Sequence, residues 1–255
     1  MRSNLLLMKL MDNVIDFGKT NTWPSELHKL VFHFSNLIAD EKDADWKNID
    51  SGKAHYNFIK MPTYIRVKSE IEEFLLNSTA LAWHCTKLIN PEKIKSNGLQ
   101  LFSVALIKYL IKTEMGNILD QKDQEIIIKK IEKYERDDFF ESRENQIWFL
   151  LNQGMWLKEE CKEFFSFFGG EAMRRVIESE LPEFMPFFQQ VGKPYLVEFS
   201  VELNQIGTFQ LSNLADQLIN FGIDSLNSEK TPFIYAEGKI TKTIVPDRIL
   251  KIYAI

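Results

Sequence analysis

Near the start of the chain, Leu27, Leu30, Val31, Phe34, Leu37 and Ile38 recur at helical spacing behind a helix start at Pro24-Ser25-Glu26. The polar stretch from Asp40 to Lys53 has the composition of a loop. A second helix is expected from about Val67 to Leu76, with Ile71, Phe74 and Leu75 inward. The pattern then changes. Ala80 to Cys85 is short and apolar, as a buried strand is, and it ends in His84-Cys85-Thr86. Asn90-Pro91-Glu92-Lys93 opens a short helix with proline at its first position, Ile94 turns inward, and Asn97-Gly98 stops it. From Leu101 to about Tyr134 the spacing is helical twice over, split near Gly116 to Gln124. Ile126, Ile127, Ile131 and Tyr134 form the inward stripe of the second helix.

Strands return after residue 140. Gln146 to Leu151 is a continuous apolar run of strand length, and Tyr195 to Val201 is a strong strand after the turn Gly192-Lys193-Pro194. Between them the spacing predicts one helix, roughly Lys158 to Glu178, with Phe164, Phe165, Phe167 and Phe168 around Gly169-Gly170-Glu171. Asn213 to Phe221 reads as a short helix, Pro232 to Thr241 as a strand bent at Gly238, and Ile249 to Ile255 as a last strand. Helices and strands are mixed without regular alternation, which indicates an α+β fold.

Composition narrows the classes. The 255 residues are 45% hydrophobic and 26% charged, the balance of a globular protein, with 20 phenylalanines to supply aromatic packing. A net charge of −5 argues against a protein that grips nucleic acid by overall positive charge. Two cysteines, Cys85 and Cys161, are too few for a disulfide framework and fit a reducing compartment. The apolar run Leu5-Leu6-Leu7-Met8 is broken by Lys9 and Asp12, and no stretch is long enough to cross a bilayer, so a cytoplasmic protein is expected. No G-x-G-x-x-G follows a strand, and there is no P-loop. His28, His33 and His55 lack metal-ligand spacing, so no metal site is expected.

The order of landmarks points further. A strand ends in His84-Cys85-Thr86, a helix follows at once, and Gly98-Leu99 ends it. Ile147-Trp148-Phe149 comes later, then the aromatic helix from Lys158, then the strand from Pro194 to Val201. Glu237 precedes Ile244-Val245-Pro246-Asp247-Arg248-Ile249. This order resembles the ADP-ribosyltransferase-like fold in its diphtheria-toxin and poly-ADP-ribose-polymerase branch, over about residues 80 to 255.

The resemblance implies a split β-sheet core with a helical insertion, preceded by a separate helical region over residues 1–79. It implies NAD as substrate. His84, with Cys85 and Thr86 beside it, would hold a ribose; Trp148, Phe149 and Phe168 would supply the aromatic wall for the nicotinamide. Glu237 resembles the catalytic glutamate, with Glu198 and Glu171 as alternatives. The chemistry suits these types: cleaving the nicotinamide–ribose bond builds positive charge on the ribose, which a carboxylate stabilises. The implied activity is mono-ADP-ribosylation of a macromolecule, protein or nucleic acid, by a toxin of a toxin–antitoxin or anti-phage system, with an antitoxin as a further partner. Two alternatives stand beside it: an NAD-dependent RNA 2′-phosphotransferase, and a fold relative that binds nucleotide without turnover. The family's tyrosines are replaced by tryptophan and phenylalanine.

Overall fold

The computed structural model describes residues 14–50, 61–134 and 137–255. The Leu5–Met8 run, residues 51–53 of the expected loop and His55 lie outside these. The architecture is α+β: among the described residues six strands, β1 (Val14–Ile15), β2 (Thr79–Leu88), β3 (Ile147–Leu150), β4 (Lys193–Glu202), β5 (Glu237–Ile240) and β6 (Ile249–Ala254), form one open sheet in the order β5-β3-β2-β4-β6, with β1 pairing on β2. The chain divides into two compact units. The described residues up to Leu81 with Val201–Gly238 form the first, and Ala82–Ser200 with Lys239–Ile255 form the second.

In the first unit, β1 (Val14–Ile15) runs parallel to the start of β2 (Thr79–Leu88), Val14 opposite Thr79. Helix α1 (Ser25–His28) passes through one π-helical turn, Lys29–His33, into α2 (Ser35–Asp50). The wider turn changes the phase of the apolar stripe. Leu27, Val31 and Ile38 are therefore buried, whereas Leu37, expected inward, is 49% exposed. Residues 40–50, expected as loop, continue α2: Glu41, Lys42, Ala44 and Lys47 are good helix formers, and polarity alone does not separate a solvated helix from a loop. Helix α3 (Pro62–Leu76) starts earlier than expected, with Tyr64, Val67, Ile71 and Leu75 buried.

A later helix packs on α3. It is α11 (Thr208–Asp224), whose Leu211, Leu214, Ala215, Leu218 and Ile219 form one apolar stripe, so it is longer than the expected Asn213–Phe221. The two helices are tied by Asp216, which accepts from the Tyr64 hydroxyl and pairs with Lys68 at 2.7 Å. Trp23 fills the base of this unit, stacked on Phe32 at 5.9 Å and against Phe221 at 5.4 Å.

In the second unit, β2 pairs antiparallel with β3 (Ile147–Leu150), Trp83 opposite Leu150. Strand β4 (Lys193–Glu202) pairs antiparallel with β6 (Ile249–Ala254), with a register shift between Glu198 and Phe199. Strand β5 covers only Glu237–Ile240. Pro232 to Ala236, which belongs to the first unit and was expected as part of that strand, keeps strand-like alternation, with Ile234 and Ala236 buried and Tyr235 exposed. It joins no ladder: Pro232 has no N–H, and the Tyr235 N–H reaches the Gln217 side chain at 3.4 Å.

Helices α4 (Glu92–Asn97), α5 (Val104–Thr113), α6 (Gln121–Tyr134) and α7 (Asp138–Glu141) lie between β2 and β3 in the chain. Gly98 ends α4 at φ +73° and brings Leu99 into a two-hydrogen-bond bridge with Ile244, at 2.9 and 3.0 Å. The Gly-Leu pair and the later Ile-Val-Pro-Asp run, 145 residues apart by number, are thus neighbours in space.

The expected long phenylalanine helix is two helices, α8 (Glu159–Ser166) and α9 (Gly170–Glu180). Gly169 and Gly170 sit at φ +85° and +73°, left-handed values that interrupt the helix. Phe167 and Phe168 in the break enter an apolar core with Ile111, Ile127, Ile131, Val176 and Ile177. Phe188, on α10 (Met185–Gln190), stacks on Phe167 at 5.4 Å.

Candidate functional site

Strand alternation divides β2 into two faces. Trp83, Cys85 and Lys87 share one, and His84 and Thr86, both half-buried, share the other. The His84 ring is fixed by a 2.8 Å hydrogen bond between Nδ1 and the Trp148 carbonyl on the neighbouring strand β3. A carbonyl only accepts, so Nδ1 carries the proton and Nε2 of the neutral ring keeps its lone pair. Burial holds the imidazole below its ordinary value of 6.5, with the bond to Trp148 opposing. His84 is therefore an oriented, uncharged acceptor at neutral pH.

The depressed value has a sign. A group that binds its proton more weakly folded than unfolded stabilises the fold above its unfolded pKa and loses that contribution as pH falls. Stability is thus expected to decline from pH 6.5 downwards through the lowered His84 value, and His84→Gln is expected to flatten that decline. Urea denaturation of both proteins between pH 7.5 and 5 checks it; parallel pH profiles would contradict it.

Trp148 is held on several sides. Its indole N–H donates to Gln146 Oε1 at 3.0 Å, and its carbonyl accepts from His84. Two cations lie over the ring: the Arg143 guanidinium, 4.6 Å from its centre, and the Lys239 ammonium, 5.2 Å away. Arg143 is also paired with Glu171 at 3.1 Å, in the first turn of α9. His84, Trp148, Arg143 and Glu171 therefore form one connected group within the second unit.

The other anticipated residues fall elsewhere. Phe149, adjacent to Trp148, points to the opposite face and is buried edge-on against Phe199 at 5.4 Å. Phe168 is likewise core, its N–H donating to the Phe188 carbonyl at 3.0 Å. Both side chains are buried in packing. Cys85 lies on the Trp83 face; burial pushes its thiol up to about 12, with Cys161 adding to the shift, so it stays protonated. Lys87 is buried on that face, its ammonium donating to the Gln189 carbonyl near the end of α10. Burial lowers its pKa.

The three carboxylates separate. Glu198 accepts from the Tyr253 hydroxyl at 2.6 Å, and burial together with that bond pushes the phenol up to about 12. Glu171 pairs with Arg143. Glu237 is exposed at the start of β5, where alternation places it on the same strand face as Lys239, while Gly238 and Ile240 are buried.

Arg143 and Lys239 were not singled out by sequence. A usable signal for Arg143 was Asn145, which at φ 55° turns the chain into β3 and is suited to left-handed backbone. Lys239 has the local signal of alternating with Glu237.

Among the described residues, no three His, Cys, Asp or Glu side chains gather as a metal group, and no helix is long and apolar enough to cross a membrane. Comparison with protein-family models, curated proteins and solved structures finds no match.

Proposed function

We propose that the chain is an NAD-dependent mono-ADP-ribosyltransferase that modifies a macromolecule. The observation that carries this reading is the neutral His84, pinned through Nδ1 to the Trp148 carbonyl with Nε2 left to accept. That arrangement suits a ribose hydroxyl, which donates to a neutral ring nitrogen without requiring a charge. Trp148 beside it offers an aromatic surface for the nicotinamide, and Arg143 and Lys239 offer positive charge for the pyrophosphate.

In the reaction, the bond between nicotinamide and ribose C1′ breaks with its electron pair leaving on nicotinamide. A nucleophilic atom of the acceptor then bonds to C1′ and gives up its proton. A carboxylate next to the ribose lowers the barrier by balancing the positive charge that develops. Glu171 is linked to Trp148 through Arg143, and Glu237 shares a strand face with Lys239, so these two are the rivals; Glu198 is engaged by Tyr253. The biological setting under this reading is an intracellular toxin or anti-phage effector, cytoplasmic, with an antitoxin as partner.

The cations at Trp148 also favour a second reading, the NAD-dependent RNA 2′-phosphotransferase, which requires basic groups around a phosphate. Incubation of the purified chain with adenylate-labelled NAD and cell extract tests the two. Label in protein or nucleic acid supports the transferase; removal of a 2′-phosphate from RNA supports the second reading. Binding of NAD without either product leaves a nucleotide-binding module. Glu171→Gln and Glu237→Gln identify the carboxylate: the functional one is expected to slow transfer by about 100-fold.

A further inference from the structure

The two cations over Trp148 are not equivalent. Arg143 is anchored by Glu171, whose oxygen lies 3.1 Å from its guanidinium, and it approaches the ring more closely. Lys239 stands 5.2 Å from the ring centre, is half-exposed and has no ion pair among the described residues. Its ammonium sits on a flexible four-carbon stem, and a partly exposed cation–π contact is weak. The indole itself is tethered by its N–H, which donates to Gln146 at 3.0 Å, and its backbone by the bond from His84 to the Trp148 carbonyl.

A planar ring arriving at an indole face occupied by a cation must displace that cation. Lys239 is the group that yields at least cost, because moving Arg143 also breaks the Glu171 pair. If the incoming ring carries a phosphate, the released ammonium has an anion within reach of its stem and exchanges a weak contact for a charge-assisted hydrogen bond. Such a ligand gains from both halves of the exchange. An aromatic ring without phosphate leaves the ammonium with water alone.

We infer that Lys239 is an exchangeable cover on Trp148: a nucleotide ring takes its place on the indole, and the ammonium binds the phosphate attached to that ring. The inference builds on the nucleotide-site reading given above and names Lys239 as the residue that selects phosphorylated rings there. A ring joined to a phosphate comes from two sources, a free dinucleotide such as NAD or a single-stranded nucleic acid.

The test uses the full chain, its Lys239→Gln and Lys239→Arg variants, and Trp148→Phe to isolate the Trp148 signal among the five tryptophans. Fluorescence titrations are run with NAD, with nicotinamide, and with a short single-stranded oligothymidylate. Lys239→Gln is expected to weaken the phosphate-bearing ligand by about tenfold, and Lys239→Arg by less than about threefold. Nicotinamide, lacking phosphate, is expected to bind Lys239→Gln no more weakly than the parent. For the oligonucleotide, the salt slope is expected to fall by about 0.7 in Lys239→Gln, as one phosphate contact is lost.

The outcomes separate this inference from the NAD reading. If NAD binds and Lys239→Gln binds it equally well, the inference is overturned while the NAD site stands. If only the oligonucleotide binds, and does so through Lys239, the inference is supported and NAD is the wrong ligand. If neither binds, both are overturned.

Discussion

Valine in place of Gly98 is expected to cost the protein about 3 kcal/mol or more, a fall of about 10 °C in Tm for a chain of this size. Two independent effects act at this position. The backbone sits at φ +73°, which β-branched residues avoid, and an added Cβ would lie far inside contact with the Ile244 carbonyl oxygen and 2.9 Å from its carbon. That oxygen cannot retreat, because it accepts the Leu99 N–H that closes the bridge. Gly170→Ala serves as the comparison: it has a similar φ of +73° but nothing within 4 Å of an added Cβ, so only the conformational cost remains. Thermal denaturation should rank Gly98→Val well below Gly170→Ala. Equal losses would show that the bridge does not constrain the fold.

His84→Ala is expected to act on function instead. Under the transferase reading proposed above, it removes the Nδ1–H donor from the Trp148 carbonyl and the Nε2 acceptor for the ribose, and so is expected to lower NAD turnover by about 100-fold or more. The ring is half-buried and its truncation leaves one carbonyl without its donor, so stability should change by about 1 kcal/mol. His84→Asn, which retains a side-chain donor, should restore the anchor better than the chemistry. A variant that loses stability and activity in parallel would make His84 a structural residue.

Part of this arrangement was legible in the sequence for physical reasons. Asn-Pro followed by Asn-Gly brackets a helix by backbone chemistry that acts locally, and those signals located α4 and Gly98 correctly. The end of the first long strand was misplaced: β2 continues past His84-Cys85-Thr86 to Leu88, so His84 lies within the strand, because a polar residue on one face of a strand does not stop its ladder. Others were lost where a local pattern has two solutions. Trp148 and Phe149 are equally aromatic, and only the strand's alternation decides that one lies beneath Arg143 and Lys239 and the other against Phe199. Leu37 fits a helical stripe until one π-helical turn alters the phase. Phe167 and Phe168 read as helical until Gly169 and Gly170 adopt left-handed backbone.

The cation pair at Trp148 was invisible for a different reason. Arg143, Trp148 and Lys239 come from a turn and two strands, and the local signals beside them, Asn145 and the alternation with Glu237, do not say that either cation meets Trp148. Tertiary structure alone brings them to one ring. The carboxylates illustrate the same limit: Glu198, Glu171 and Glu237 were equivalent by type, and the Tyr253 hydroxyl on Glu198 and the Arg143 pair on Glu171 now set those two apart.

The central claim is that the His84–Trp148 group binds NAD for cleavage of its nicotinamide–ribose bond. Nicotinamide release from NAD by the purified full chain, compared with His84→Ala, measures that event itself. The account predicts release by the parent protein and a fall of about 100-fold in the variant. Release at the same rate from His84→Ala, or none from a folded parent protein supplied with its acceptor, would contradict it.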